Sequence, residues 1–124
     1  MNTPRVLIVD DNAMNIELAS YVLTADAMIT ESALGAQQAR ERIQTFRPDL
    51  ILMDIQMPGM NGLELTQLLK SEASTRHIVI IAHTAYAMKG DEAKMRAAGC
   101  DGYVSKPIDV TTLAAQIRAF LEPR

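Results

Sequence analysis

The chain has 124 residues, enough for one domain with a sizeable buried core. Apolar residues make up 48% and charged residues 22%, and the net charge of −3 excludes a general electrostatic attraction for nucleic acid or anionic lipid. A single cysteine excludes an intramolecular disulfide, and the apolar runs are too short to span a membrane, so we expect a protein of the reducing cytoplasm.

The predicted elements alternate between strands and helices along the chain. Short apolar runs, mostly β-branched, predict strands, and apolar residues at helical spacing predict helices. In chain order we predict a strand at 6–9, a helix at 13–25, a strand at 27–30, a helix at 36–46, a strand at 50–53, a helix at 62–70, a strand at 78–81, a helix at 88–98, a strand at 103–104 and a helix at 111–121. The strand at 27–30 is the weakest, which an edge position would tolerate.

Continuous apolar strands separated by helices predict an α/β protein whose parallel sheet is covered on both faces. Five such units in a chain of this length predict a flavodoxin-like, doubly wound fold with the strand order 2-1-3-4-5. We expect one domain over residues 1–124, with no output domain after the last helix.

Polar residues follow the predicted strands at the points where the apolar runs end. Asp10 and Asp11 follow the first strand, Asp54 the third, Thr84 the fourth and Lys106 the fifth. The carboxyl ends of parallel strands meet at one edge of the sheet, where ligands of such folds bind. Crowded carboxylates repel one another unless a hard divalent cation neutralises them. The sequence therefore predicts a site for Mg²⁺, with Mn²⁺ as a substitute, and for a phosphoryl group.

Asp54 is the candidate for covalent chemistry, because a carboxylate can attack phosphorus and form a labile acyl phosphate. Lys106 would then pair with one phosphoryl oxygen, and the Thr84 hydroxyl would donate a hydrogen bond to another.

Structural alternatives remain open for each of these residues. Asp10 or Asp11 could cap the following helix in competition with Asn12. Asp54 could be a turn residue, Thr84 an ordinary loop threonine, and Lys106 a solvated surface lysine.

Four segments, taken together and in this order, resemble the receiver domain of bacterial response regulators. They are residues 9–12 (VDDN), residues 53–62 (MDIQMPGMNG), Thr84-Ala85 and Lys106-Pro107. The resemblance covers the whole chain. Residues 87–92 and 99–108 are more narrowly similar to DivK-type single-domain regulators and to the receivers of hybrid histidine kinases.

This resemblance implies roles for individual residues. Asp54 matches the phosphoacceptor, Asp11 matches a direct metal ligand, and Asp10 matches a carboxylate that reaches the metal largely through water. The backbone carbonyl of Gln56 matches a third protein ligand of the metal.

The resemblance also implies the residues that sense phosphorylation. Thr84 and Lys106 match the two phosphoryl-sensing residues, and Tyr103 matches an aromatic side chain that turns inward when the threonine moves. Plain packing at a strand end is the alternative for Tyr103. The peptide between Lys106 and Pro107 is cis in this family.

The implied function is a phosphorylation-dependent signalling switch of a two-component phosphorelay, with only self-directed chemistry and no enzymatic turnover of other substrates. The implied partners are a histidine kinase or histidine phosphotransfer protein and a downstream protein target, with no DNA or membrane contact. We expect a monomer or a weak phosphorylation-dependent dimer. Candidate docking residues for the phosphodonor are Met14, Asn15, Leu18, Pro107 and Ile108.

Three other functions are weaker alternatives. A phosphatase of the haloacid dehalogenase type would have an acidic residue in the position of Gln56 to move protons. A nucleotide or flavin carrier would have a glycine-rich loop after the first strand, where this chain has the acidic pair Asp10-Asp11. A phosphate-independent scaffold would not require the acceptor, the acidic pair, the threonine and the lysine together.

Three further residues carry expectations about local structure. His83 departs from the family, which usually has a small or aliphatic residue before the threonine. A histidine here could titrate near physiological pH, but we favour a partly buried side chain with one hydrogen bond. Gly62 is expected to adopt a positive φ, and Gly99 is expected to end the helix at 88–98.

Overall fold

The computed structural model describes residues 3–56, 61–85 and 89–122; the motif residues 57–60 and 87–88 lie outside these ranges. No helix within the described ranges is both long and apolar enough to cross a membrane. The elements, in chain order, are β1 (Arg5–Val9), α1 (Ala13–Ala25), β2 (Ile29–Ala33), α2 (Ala36–Phe46), β3 (Leu50–Asp54), α3 (Gly62–Ser71), β4 (Val79–Thr84), α4 (Lys89–Ala98), β5 (Gly102–Ser105) and α5 (Leu113–Leu121).

The strands form one parallel sheet in the order β2-β1-β3-β4-β5, which confirms the predicted fold class and topology. In the register of the sheet, Val9 lies beside Met53, Met53 beside Ala82, and Ala82 beside Tyr103. Because these residues are level with one another, the polar residues that follow them lie along one edge of the sheet.

Helices cover both faces of the sheet, and each face has its own hydrophobic core. On one face the strands pack against α2, α3 and α4, where Phe46, Leu65 and Met95 are all buried. On the opposite face they pack against α1 and α5, where Leu23 and Ile117 are fully buried. Successive strand residues alternate between the two faces, so a continuous apolar run fills both cores.

The edge strand β2 lies further along the chain than predicted. It spans Ile29–Ala33 rather than 27–30, and Ala27 has a φ of 65°, a left-handed conformation in the turn before the strand. Residues 30–32 are polar and only partly buried, because β2 is at the edge and pairs with β1 alone. Their polarity explains why a search for apolar runs misplaced the strand.

The last helix begins later than predicted, at Leu113 rather than at residue 111. The Asp109 carboxylate accepts hydrogen bonds from the backbone N and the hydroxyl of Thr111, at 2.9 and 2.6 Å. These bonds hold a turn before the helix, because a short acidic side chain competes for backbone donors there.

Gly99 and Gly62 occupy positions that require glycine for different structural reasons. Gly99 has a φ of 107° and its N–H donates to the carbonyl of Arg96, which confirms it as the residue that ends α4. The expectation of a positive φ at Gly62 was wrong. A Cβ at Gly62 would lie 2.4 Å from the backbone oxygen of Asp54, so this position requires glycine for space.

Candidate metal and phosphoryl site

Asp10 is the first polar residue after β1, and it is buried, with 1% of the residue exposed. Its Oδ1 accepts a hydrogen bond from the backbone N–H of Asn12 at 2.9 Å, and its Oδ2 accepts one from Asn15 Nδ2 at 3.3 Å. The next residue, Asp11, is exposed to solvent. The acidic pair therefore presents one restrained and one solvated carboxylate.

Asp54 ends β3 and is also buried, at 2% exposure. Its Oδ1 accepts a hydrogen bond from the backbone N–H of Gln56 at 3.0 Å, which fixes the turn that follows the strand. Gly62 allows α3 to begin close behind the backbone of Asp54, as shown by the clash that any Cβ would make there.

Lys106 supplies a positive charge close to both buried carboxylates. Its Nζ lies 3.2 Å from Asp54 Oδ1 and 3.8 Å from Asp10 Oδ2. Its backbone N–H donates to the carbonyl of Thr84 at 2.7 Å, and its peptide bond to Pro107 is cis. The lysine is thus held at the same edge of the sheet as the two aspartates.

The acidic residues form a set that suits a hard divalent cation. One carboxylate oxygen from each of Asp10, Asp11 and Asp54 lies within 4.8 Å of the other two. Oxygen donors that carry formal negative charge are the ligands that Mg²⁺ prefers, and their mutual repulsion favours neutralisation by a cation. The residues present therefore fit the cofactor expected from the sequence.

Thr84 and Tyr103 lie on the face of the sheet that is covered by α2, α3 and α4. Thr84, the last residue of β4, is buried at 1% exposure, and it alternates with His83 across the sheet. Tyr103 is half-buried and packs against the core formed with α2, α3 and α4. The two sensing candidates therefore lie on the side of α4, opposite to α1 and α5.

His83 is more deeply buried than the sequence suggested. It lies beside Asp54 in the sheet register and is 3% exposed, and its Nε2 has no hydrogen-bond partner among the described residues. Burial and then the positive charge of Lys106 lower the pKa of His83 to about 4, against a smaller opposing effect of Asp54. The imidazole is therefore neutral at pH 7.

The helix cap after β1 is Asn12, which decides between the capping alternatives. Its side chain accepts hydrogen bonds from the backbone N–H groups of Met14 and Asn15, at 2.9 and 3.2 Å. The carboxylate of Asp10 is instead turned to the N–H of Asn12 and to the amide of Asn15. The sequence pattern did not predict Asn15 as part of the acidic site, although its place in the first helical turn after a strand-end aspartate is a signal that points to it.

The docking candidates differ in exposure. Met14 is 78% and Leu18 38% exposed on α1, and Pro107 is exposed in the loop after β5. Asn15 and Ile108 are half-buried, and Ile108 packs against the core under α1 and α5.

Residues 6–118 match the profile of the response regulator receiver domain family. The chain is 44% identical over 116 residues to the polar-differentiation response regulator DivK of Brucella anthropi, an alignment that covers 94% of each protein. Among solved structures it is similar to the chemotaxis protein CheY4 of Vibrio cholerae, with a TM-score of 0.90 and 24% identity over 96% of this chain and 99% of that one. It is also similar to the signal receiver domain of a histidine kinase from Syntrophus aciditrophicus, with a TM-score of 0.86 and 28% identity over 96% and 90% of the two chains.

Proposed function

The chain belongs to the response regulator receiver domain family, and we propose that Asp54 is its phosphoryl acceptor. As a family member it is a signalling module of two-component systems, switched by phosphorylation. The observation that supports Asp54 is its position as a buried carboxylate that is paired with Lys106 at 3.2 Å and belongs to the group of three carboxylates.

The proposed reaction transfers a phosphoryl group from a phosphohistidine to this carboxylate. One Asp54 oxygen attacks phosphorus, the new O–P bond forms as the N–P bond breaks, and the departing imidazole keeps the bonding electrons and takes up a proton. The Lys106 ammonium then pairs with a phosphoryl oxygen, and the Thr84 hydroxyl donates to another.

Mg²⁺ is the proposed cofactor, with Mn²⁺ as a substitute. Asp11, Asp54 and the Gln56 carbonyl would hold the ion directly and Asp10 would hold it through water, so that it neutralises charge on the phosphoryl oxygens. This assignment agrees with the acidic donor set around Asp54. The acyl phosphate that Asp54 forms is labile, and its hydrolysis by water returns the carboxylate and releases inorganic phosphate.

The proposed switch runs from Asp54 to the face of α4, β5 and α5. Movement of Thr84 toward the phosphoryl group leaves space beside β4, and Tyr103 turns into it. The half-buried position of Tyr103 against the core near α4 supports this proposal.

We propose two protein partners, in the cytoplasm. A histidine kinase or histidine phosphotransfer protein supplies the phosphoryl group and docks beside the site, at Met14, Asn15, Leu18, Pro107 and Ile108; the exposure of Met14 and Leu18 on α1 supports this. A downstream protein reads the face of α4, β5 and α5. We propose further that the chain acts as a single domain, as a monomer or weak dimer, and contacts neither DNA nor membrane.

Intact-mass measurement after incubation with acetyl phosphate and Mg²⁺ tests this function. We expect the native chain to gain one phosphoryl group, and we expect no gain in the Asp54→Asn variant or in EDTA. The matched control is Asp49→Asn, the same change at the opposite edge of the sheet, which should be phosphorylated normally. A native chain that neither gains mass nor binds beryllofluoride would instead favour the phosphate-independent scaffold.

A further inference from the structure

Both oxygens of the Asp10 carboxylate are held by α1 or its cap. The backbone N–H of Asn12 donates to Oδ1 at 2.9 Å, and the side-chain amide of Asn15 donates to Oδ2 at 3.3 Å. A carboxylate held at both oxygens cannot rotate about its Cβ–Cγ bond without breaking a hydrogen bond. The orientation of Asp10 is therefore set by two neutral residues, Asn12 and Asn15.

The position of Asn15 is fixed in turn by the helix cap. Asn12 Oδ1 accepts from the backbone N–H of Asn15 at 3.2 Å, and Asn15 then donates its side-chain amide back toward β1. The hydrogen bonds close a ring from Asp10 through Asn12 to Asn15. Such a ring holds its members more rigidly than a single contact, because each bond restrains the next.

The surroundings of Asn15 distinguish it from an ordinary exposed residue of α1. Its neighbour Met14 is 78% exposed, whereas Asn15 is half-buried and donates its side-chain amide to Asp10, a residue that is 1% exposed. Lys106 Nζ approaches the same Asp10 oxygen, at 3.8 Å. Asn15 thus shares Oδ2 of Asp10 with the lysine of the phosphoryl site.

We propose that Asn15 is a positioning residue for the metal site, acting through Asp10. The proposal rests on the proposed function, because it assumes that Asp10 faces the bound Mg²⁺. Partners that orient a direct ligand commonly change metal affinity by about 10- to 100-fold when they are removed, and because Asp10 is proposed to hold the metal through water we expect the lower end of that range for Asn15. The Asn15 amide has this relation to the metal group, since it fixes the carboxylate and does not itself belong to the group of Asp10, Asp11 and Asp54.

The test is a titration of the full chain with Mg²⁺ alone, monitored by two-dimensional ¹H–¹⁵N NMR. The Asn15→Leu variant keeps the approximate size of the side chain and removes the donor, and we expect its Mg²⁺ dissociation constant to rise about tenfold. Asn15→Gln retains an amide on a longer arm and should recover part of that loss. Gln44→Leu, an amide removed from the exposed surface of α2, should bind as the native chain does.

A second measurement separates positioning from a general loss of structure. With acetyl phosphate as donor, the Mg²⁺ concentration for half-maximal phosphorylation should rise in Asn15→Leu, while the rate at saturating Mg²⁺ stays within about twofold of native, because Asn15 does not touch the reacting atoms. If the leucine variant does not fold, Asn15→Ala is measured in its place.

The outcomes distinguish the two proposals. An Asn15→Leu or Asn15→Ala chain with a native Mg²⁺ dissociation constant would overturn the role of Asn15 and leave the phosphoryl site intact. Equal losses in the leucine and glutamine variants would also overturn it, because they would assign the effect to helix packing. A native chain that binds no Mg²⁺ would overturn the metal site itself, and this inference with it.

Discussion

The carboxyl ends and the amino ends of the parallel strands form two edges of the sheet, here called the carboxyl edge and the amino edge, and the two differ in their balance of charge. At the carboxyl edge, three carboxylates meet one lysine, and the buried polar residues Asp10, Asp54, His83 and Thr84 are concentrated there. At the amino edge, Lys70 Nζ lies 3.0 Å from Asp101 Oδ2, and Asp49 accepts a hydrogen bond from the backbone N–H of Arg5. The first edge therefore has an excess of negative charge that a cation can relieve, whereas these two carboxylates at the second edge each have a partner.

Two residues illustrate the amino edge. Lys70 Nζ donates to the carbonyl of Ile78 at 2.7 Å and to Asp101 Oδ2 at 3.0 Å, and Asp101 Oδ2 also accepts from the backbone N–H of Ile80. Arg5 donates its Nε–H to a backbone carbonyl and places its guanidinium 4.4 Å from the centre of the Phe46 ring. These contacts complete the ends of strands and helices, so this edge contributes stability, and among the described residues no group of three metal-ligating side chains lies there.

The difference between the two edges shows where unfavourable interactions are located in the fold. Unpaired buried polar groups and crowded like charges destabilise a native state, and they persist where function requires them. Within the described ranges, the unpaired His83 nitrogen and the crowded carboxylates both lie at the carboxyl edge, around Asp54. Changes at the two edges should accordingly differ in their dependence on pH and on Mg²⁺.

The largest expected difference is a pH dependence that His83 gives to the carboxyl edge. The pKa of His83 is lowered to about 4 in the folded chain, whereas the unfolded value is 6.5. The unfolded chain therefore binds a proton first as the pH falls, and stability is full above pH 6.5 and is lost toward pH 4. The loss in free energy of unfolding should be on the order of 3 kcal/mol by pH 4.

Urea unfolding in EDTA at pH 7 and pH 5 measures this contribution. The His83→Leu variant should lose much less stability than native over this range, because the leucine cannot take up a proton. It should also be more stable than native at pH 7, since it removes a buried nitrogen that has no hydrogen-bond partner in the part of the chain that the structure describes. Parallel pH profiles for the two chains would contradict the assignment of this dependence to His83.

A smaller effect is expected from Lys70→Met at the amino edge. The change removes the donor that serves the Ile78 carbonyl and the Asp101 carboxylate, so both acceptors lose a charged partner. We expect a loss of about 2 kcal/mol in the free energy of unfolding, with no change in Mg²⁺ affinity. Parallel measurements of urea unfolding and Mg²⁺ binding check both parts, and a weakened Mg²⁺ affinity would show that the two edges are coupled.

The sequence was sufficient to predict the features that repeat along the chain. Apolar runs located four strands, and the residues after them included Asp10, Asp54 and Lys106, because parallel topology alone brings strand ends together. Strand β2 was misplaced because edge strands are held by backbone pairing and tolerate polar side chains, as residues 30–32 show.

Contacts between particular side chains were harder to predict. Asn15 lies one helical turn from the site, and its bond to Asp10 depends on the angle at which α1 leaves β1. Gly62 was assigned to a positive φ, whereas its requirement is the approach of α3 to the backbone of Asp54. Both depend on distances between elements that a single sequence does not encode in any local pattern.

The smallest expected effect is a gain in stability, and it concerns Asp11. Asp11→Asn removes one of the three clustered carboxylates and leaves an amide of the same size. In EDTA the variant should be more stable than native by about 0.5 kcal/mol, because one source of repulsion is gone and the residue is exposed. In the native chain Mg²⁺ should raise the melting temperature, and in the variant most of that rise should disappear.

Asp49→Asn gives the matched comparison at the amino edge. Asp49 Oδ2 accepts a hydrogen bond from the backbone N–H of Arg5 at 2.9 Å, so the same change should lower the melting temperature in EDTA and leave the rise caused by Mg²⁺ intact. Opposite signs in EDTA for Asp11→Asn and Asp49→Asn would show that negative charge is in excess at one edge and balanced at the other. A loss of stability in both variants would mean that Asp11 makes a stabilising contact in the metal-free chain, and the carboxyl edge would then carry less repulsion than its three aspartates suggest.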